Sequence, residues 1–417
     1  MEPLSHGVTQ PSKWIHILTV VLWSGTFVWL AVTIFWAVSQ AWGYDGRFFW
    51  ASARTFLDGG DPLLHYYSYP GVDLSGHTQF VGLPWVTLLT IPFALLPLDA
   101  GLRAWTIFNV CLLLLILGAV YFLSRKELAS WQLALLTMCC LWLCLRCVVM
   151  GQIGLLVTVA VLLGMISWQS EKWLLSGLCL SLTLFKPWIA VGAVLTVVLI
   201  VIVRRKWRFI FGLLLGGSSL LLLTTVIWPQ WLNSLLQVDF AFAYGVQVDG
   251  HYIVYWPVAT LPDFMKFVLG WSVDENGLLV SRLLPLALIL ALGLLAIQRW
   301  RYRRADVLLL IGTGTLLSAL VVPYSRFYDY TILSLWAVGI FVGGKRSGVA
   351  TFTLGLVATL VGLAFILNLG THPEPWVYQI LLWMYVANAL VLWKLPPIRD
   401  QGSVTHSRSD FSKVEAT

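Results

Sequence analysis

Apolar runs, many of them long enough to cross a bilayer, follow one another along almost the whole chain. They fall roughly at 14–38, 82–97, 102–123, 129–149, 153–168, 173–185, 188–203, 209–228, 278–297, 307–322, 331–344, 349–369 and 377–393. A helix needs about 20 apolar residues to span the hydrocarbon core. Inside that core every backbone N–H and C=O must be satisfied within the segment, so continuous runs of this kind are helices. Strands of a membrane barrel would alternate apolar and polar residues, which excludes that class. Charged residues make up 11% of the chain, against about 25% in a soluble domain. The expected fold class is therefore an all-α polytopic membrane protein.

Positive charge orients the spans. The net charge of +7 reflects basic loops kept on the cytoplasmic side rather than a nucleic-acid partner. The run 82–97 is short and holds Pro84, Pro92 and Pro97. Suppose it lies along the outer face. Then one alternation from a cytoplasmic N-terminus puts Lys13, Arg125, Lys126, Lys172, the clusters at 204–208 and 299–304, Lys345, Arg346 and Lys394 all inside. If 82–97 crosses, the later clusters fall outside. The sequence thus predicts about 12 transmembrane helices with both ends cytoplasmic. They form one domain over residues 1–394, beginning with a retained first helix. Residues 395–417, polar and rich in Ser and Thr, are expected to be a disordered cytoplasmic tail. The outer loops are 39–101, with juxtamembrane helices, 229–277 and 323–330. Cys111, Cys139, Cys140, Cys144, Cys147 and Cys179 all sit in apolar runs and read as packing residues, with no disulfide or metal site.

Polar chemistry gathers in 44–70, YDGRFFWASARTFLDGGDPLLHYYSYP. Asp45 follows the first run at the outer boundary, at the head of a segment suited to an amphipathic interfacial helix. A carboxylate there is placed to accept a proton; equally, it is placed to cap that helix. Asp58 and Asp61 flank Gly59 and Gly60 before Pro62, where acids stabilise turns. A glycosidase-like carboxylate pair is not established by this spacing. His65, Tyr66, Tyr67 and Tyr69 serve either as interfacial belt residues or as a stacking floor for a sugar. Arg146 precedes Gly151 and Gln152 by about one turn, Lys186 precedes Pro187, and Arg326 lies in PYSRFYDY with Tyr324 and Asp329. A charge inside a span normally faces a polar cavity or partner. Arg326 has Asp329 as a local partner, but three cations at one membrane depth also suit a lipid phosphate. There is no Walker A signature, no strand-linked GxGxxG and no metal-ligand cluster. His251 is isolated.

With these residues in view, the chain resembles the GT-C superfamily of membrane glycosyltransferases. Within it, it resembles family 87, whose members are polyprenyl-phosphate-mannose-dependent α-mannosyltransferases. The resemblance rests on Tyr44-Asp45 followed by FFWASARTFLDGGDPL, on Tyr69 and Pro70, and on LLTIPFALLPLDAGLRAWTIFN. It continues with Gly151 and Gln152 heading a Leu-rich span, LSGLCLSLTLFKPW around Lys186, and PYSRFYDYTIL around Asp329. These pieces occur in the family's order over roughly 45–335. Two departures stand out. An extra polar stretch, GVDLSGHTQFVG, follows Pro70 where the family reads Tyr-Pro-Pro, and Ile153 and Gly154 follow Gln152 where the family usually has Asn.

The resemblance implies a GT-C fold and transfer of a sugar, mannose by family habit, from a polyprenyl phosphate to an acceptor hydroxyl on the extracytoplasmic side. It implies Asp45 as the catalytic base, with Lys186, Arg326 and Arg146 on the donor phosphate. Asp58, Asp61, His65, Tyr66, Tyr69, Gln152, His251, Tyr324 and Asp329 are the substrate-binding candidates. No cofactor and no metal are expected. The expected partners are membrane lipids, the polyprenyl-phosphate sugar and a glycolipid or glycan acceptor, with no nucleic acid. The expected location is a bacterial plasma membrane with the site facing outward. A transporter or flippase of lipid-linked sugars fits the span number and the intramembrane cations. The absence of paired broken spans and the acid-bearing outer loops speak against it. A non-catalytic scaffold remains if Asp45 is only a cap.

Overall fold

The computed structural model describes residues 13–40, 44–65, 67–72, 82–237, 246–248, 251–253, 304–321 and 327–343. They are helical apart from one antiparallel hairpin, β1 (Val246–Val248) and β2 (His251–Ile253). The helices are α1 (Lys13–Gln40), α2 (Tyr44–Leu57), α3 (Pro84–Ala94), α4 (Leu98–Ser124), α5 (Ser130–Met150), α6 (Gly154–Gln169) and α7 (Trp173–Ser181). They continue with α8 (Pro187–Val203), α9 (Trp207–Ile227), α10 (Trp231–Gln237), α11 (Arg304–Val321) and α12 (Leu333–Gly343). Short 3₁₀ turns at Leu182–Phe185 and Phe327–Ile332 lead into α8 and α12.

Among the described residues, four helices are long and apolar enough to cross a membrane: α1, α4, α5 and α9. The apolar runs at 278–297, 349–369 and 377–393, and the 395–417 tail, lie outside the described residues. The run 82–97 becomes α3, whose 11 residues measure about 16 Å. That is far short of the ~30 Å hydrocarbon core. Pro84 opens α3, and Pro97 stands just before α4. Proline lacks the amide N–H that a helix interior needs but is tolerated at helix starts.

Packing sorts the helices. Within the window of highest hydropathy, α1 and α9 are only 11% buried, whereas α5 is 76% buried. The first two present apolar side chains outward, and α5 lies in the interior, against α1, α4 and α12. Where helix pairs come closest, the residues are small, as expected where lipid removes the hydrophobic drive for helix association. A Cβ added to Gly177 on α7 would stand 2.1 Å from the Phe209 carbonyl oxygen of α9. One added to Gly192 on α8 would stand 2.2 Å from the Gly314 carbonyl oxygen of α11. The Gly192 N–H donates to Ser318 Oγ at 2.7 Å across the second seam. All six cysteines are free thiols.

The helices from α4 to α9 run alternately up and down, so their connections gather at two ends. The basic turns holding Lys172 and Lys206 meet at one end. There Lys206 Nζ lies 4.9 Å from the Trp173 ring centroid, and Trp168 packs edge-on to Phe209. The other end carries the α5–α6 turn, the Lys186 break and helices α2 and α3. Tryptophan N–H groups tie that end together. Trp50 donates to the Leu96 carbonyl at 3.2 Å, Trp85 to the Leu184 carbonyl at 2.9 Å, and Trp105 to the Gly151 carbonyl at 2.6 Å. Helices α2 and α3 pack on each other through Ser52 and Thr87, whose hydroxyls are 2.6 Å apart, and through Thr90, which donates to the Phe49 carbonyl at 3.2 Å.

Candidate active site

Three separate breaks in helical structure converge at this end. The first is the start of α2. Asp45 stands in its first turn, where the helix dipole favours a negative charge. Its carboxylate is buried, and it accepts a hydrogen bond from Gln152 Nε2, 107 residues away in sequence.

The second break is the α5–α6 turn. Gly151 adopts φ 69°, the left-handed conformation that ends a helix at least cost when the residue is glycine. Gln152 follows, held by its own backbone. Its N–H donates to the Cys147 carbonyl at 3.0 Å, and its carbonyl accepts the Cys147 thiol at 3.4 Å. Trp105, 2% exposed, fixes the same turn through the Gly151 carbonyl and is packed among Phe49, Phe93 and Phe108.

The third break is Lys186. A residue before proline is pushed out of the α region, and Lys186 sits at φ −152°, ψ 72° between the 3₁₀ turn and α8. The chain leaves the helix at this residue, and the ammonium turns inward: Lys186 is 5% exposed. Its Nζ donates to Gln152 Oε1 at 3.1 Å and lies 5.9 Å from the Trp188 ring centroid. A buried ammonium needs such partners, because desolvation otherwise costs several kcal/mol. The result is a buried chain from Lys186 through the Gln152 amide to Asp45.

The remaining sequence candidates fall into separate groups. Asp58 forms an ion pair with Arg54 at 3.0 Å and accepts the Tyr69 hydroxyl at 3.0 Å. It lies about 20 Å along α2 from Asp45, at 1.5 Å per residue. Burial raises the Tyr69 pKa, Thr55 lowers it, and Asp58 raises it; the net shift is upward, so the phenol stays a donor. Asp61 accepts the Leu63 N–H at 3.1 Å and the Ser234 hydroxyl of α10, pinning the loop to that helix. Both acids therefore do turn and docking work in this structure. His65 is exposed on the same loop. Arg146 belongs to α5, in the last turns before Gly151, and His251 to β2, opposite Val248. Asp329 belongs to the 3₁₀ turn Phe327–Ile332, which lies against α6 where Thr158 donates to Thr331 at 2.9 Å. The side chains of Arg146, His251 and Asp329, and all of Tyr66, Tyr324 and Arg326, lie outside the described residues.

The largely helical, apolar bundle, with an acid, an amide and a cation buried at one end, and the family match together make this an integral membrane glycosyltransferase. The chain belongs to glycosyltransferase family 87, whose model matches residues 80–323. No curated protein and no solved structure matches the chain. The matched segment includes Gln152 and Lys186 but not Asp45. Gln152, inside that segment, reaches Asp45 through a hydrogen bond.

Proposed function

We propose that the protein transfers mannose from a polyprenyl-phosphate donor to a hydroxyl of a glycolipid or glycan acceptor of the cell envelope, with Asp45 as general base. The observation that carries this reading is the convergence of Asp45 and Lys186 on Gln152. A carboxylate and a cation one amide apart match the two needs of the reaction. Asp45 takes the proton of the acceptor hydroxyl as its oxygen bonds to the anomeric carbon. The bond from that carbon to the phosphate oxygen breaks on the opposite face, with inversion, and its electron pair leaves on the polyprenyl phosphate. Lys186 meets that developing charge, as preorganised cations do at departing phosphates, and Arg326 and Arg146 reinforce it. The scheme neutralises charge with side chains and so calls for no metal or cofactor. A placed base contributes about 10²–10⁴ in rate.

In this reading about 12 spans surround the site. The exposed apolar faces of α1 and α9 meet lipid, and the donor's polyprenyl tail runs among the helices. The basic end of the bundle is cytoplasmic by the positive-inside bias. The site therefore faces outward, in a bacterial plasma membrane. His65, Tyr66 and Tyr69 lie over the acceptor sugar, with Tyr324 and Asp329 across from them. The test is purified protein in liposomes given radiolabelled polyprenyl-phosphate mannose and a glycolipid acceptor. Label in a new glycosidic bond supports the reading. Movement of the donor across the bilayer without a new bond would identify a transporter instead.

A further inference from the structure

We propose that Gln152 is the positioning residue of this site. Its amide fixes the Asp45 carboxylate by way of Lys186 and is not spent on substrate, and this inference rests on the transfer reading above. The orientation of the amide is dictated by its neighbours. A lysine ammonium has donors only and a carboxylate has acceptors only. Lys186 Nζ therefore takes the carbonyl end, Oε1, at 3.1 Å, and the NH₂ end is left to donate to Asp45. A flipped amide would set donor against donor and acceptor against acceptor. Each bond polarises the next in a buried chain, and all three side chains are buried, Asp45 and Gln152 at 8% exposure and Lys186 at 5%. The backbone of Gln152 is itself pinned by Cys147 at both its N–H and its carbonyl, so the amide is a fixed post.

The sequence suggests a different role, that of a substrate ligand, and the two roles separate in kinetics. Gln152→Met keeps length and bulk but removes both hydrogen bonds. If Gln152 positions the base, single-turnover transfer falls about 100-fold, the scale of a 1 Å misplacement, while KM for polyprenyl-phosphate mannose stays within about threefold. A substrate ligand would instead raise KM with kcat kept.

A second experiment reads the contact without activity. Gln152→Glu keeps an acceptor for Lys186 but sets a carboxylate against Asp45, and the Tm of the full chain in detergent should drop by several degrees. Combining it with Asp45→Asn gives an amide at position 45 that donates to the new carboxylate, and this reversed pair should recover most of the lost Tm while transfer stays abolished. Two results would overturn the proposal: a KM effect alone in Gln152→Met, or a reversed pair no more stable than Gln152→Glu. If Gln152→Met does not fold, the reversed pair decides alone. Recovery of Tm in a protein that transfers no sugar even with its native residues would leave the positioning contact intact and refute the transfer reading.

Discussion

Trp105→Phe probes how the fold holds the site. The indole N–H donates to the Gly151 carbonyl at 2.6 Å, and the residue is 2% exposed. Phenylalanine keeps the edge-on contacts with Phe49 and Phe93 in kind, at centroid distances of 5.8 Å and 5.0 Å in the native protein. What it removes is the donor. Leaving a buried carbonyl without its partner costs about 1–3 kcal/mol, concentrated on a turn whose next residue is Gln152. The turn relieves that cost by shifting toward another donor, and a shift near 1 Å at the reacting groups lowers rate about 100-fold. Single-turnover transfer should therefore fall about 10- to 100-fold, with donor KM nearly unchanged and a modest fall in Tm. A variant that loses Tm but transfers at the native rate would show that the indole does not set the position of Gln152, and the reasoning would fail.

Two other perturbations test the frame. Gly177→Val drives a side chain into the Phe209 carbonyl, where even a Cβ would come within 2.1 Å. Overpacking of this kind costs about 1–3 kcal/mol, so the Tm should fall clearly, whereas Gly118→Ala, with nothing within 4 Å of its added Cβ, should be almost silent. Single cysteines in 204–208 should resist a membrane-impermeant thiol reagent in intact cells while cysteines in 73–78 react, because the basic turns are read as cytoplasmic. Labelling of 204–208 from outside would reverse the orientation.

The helices were largely legible in the sequence because apolar runs and helix punctuation are local signals. The run at 153–168 became Gly154–Gln169, and that at 209–228 became Trp207–Ile227. The Gly151 and Lys186 breaks were readable because glycine admits the left-handed turn and proline excludes the helix before it. The run 173–185 hid a tightening into a 3₁₀ turn from Leu182, which hydropathy does not register. The site was legible only in its parts. Asp45, Gln152 and Lys186 each stood out, but nothing local says that a glutamine amide bridges the other two across 107 and 34 positions. The bond from Ser234 to Asp61 spans 173 positions and was invisible for the same reason. Trp105 gave no signal of its own in a chain with 23 tryptophans.

Asp45→Asn asks whether Asp45 removes a proton. Asparagine keeps the shape, and its side-chain oxygen still accepts the Gln152 N–H. The buried contact is kept, so folding should be preserved. Single-turnover transfer from polyprenyl-phosphate mannose is measured beside a thermal unfolding trace and donor binding. Transfer should fall by about 10²–10⁴-fold, with Tm and donor affinity near those of the native protein. Transfer at the native rate would contradict this, and would make Asp45 a structural acid.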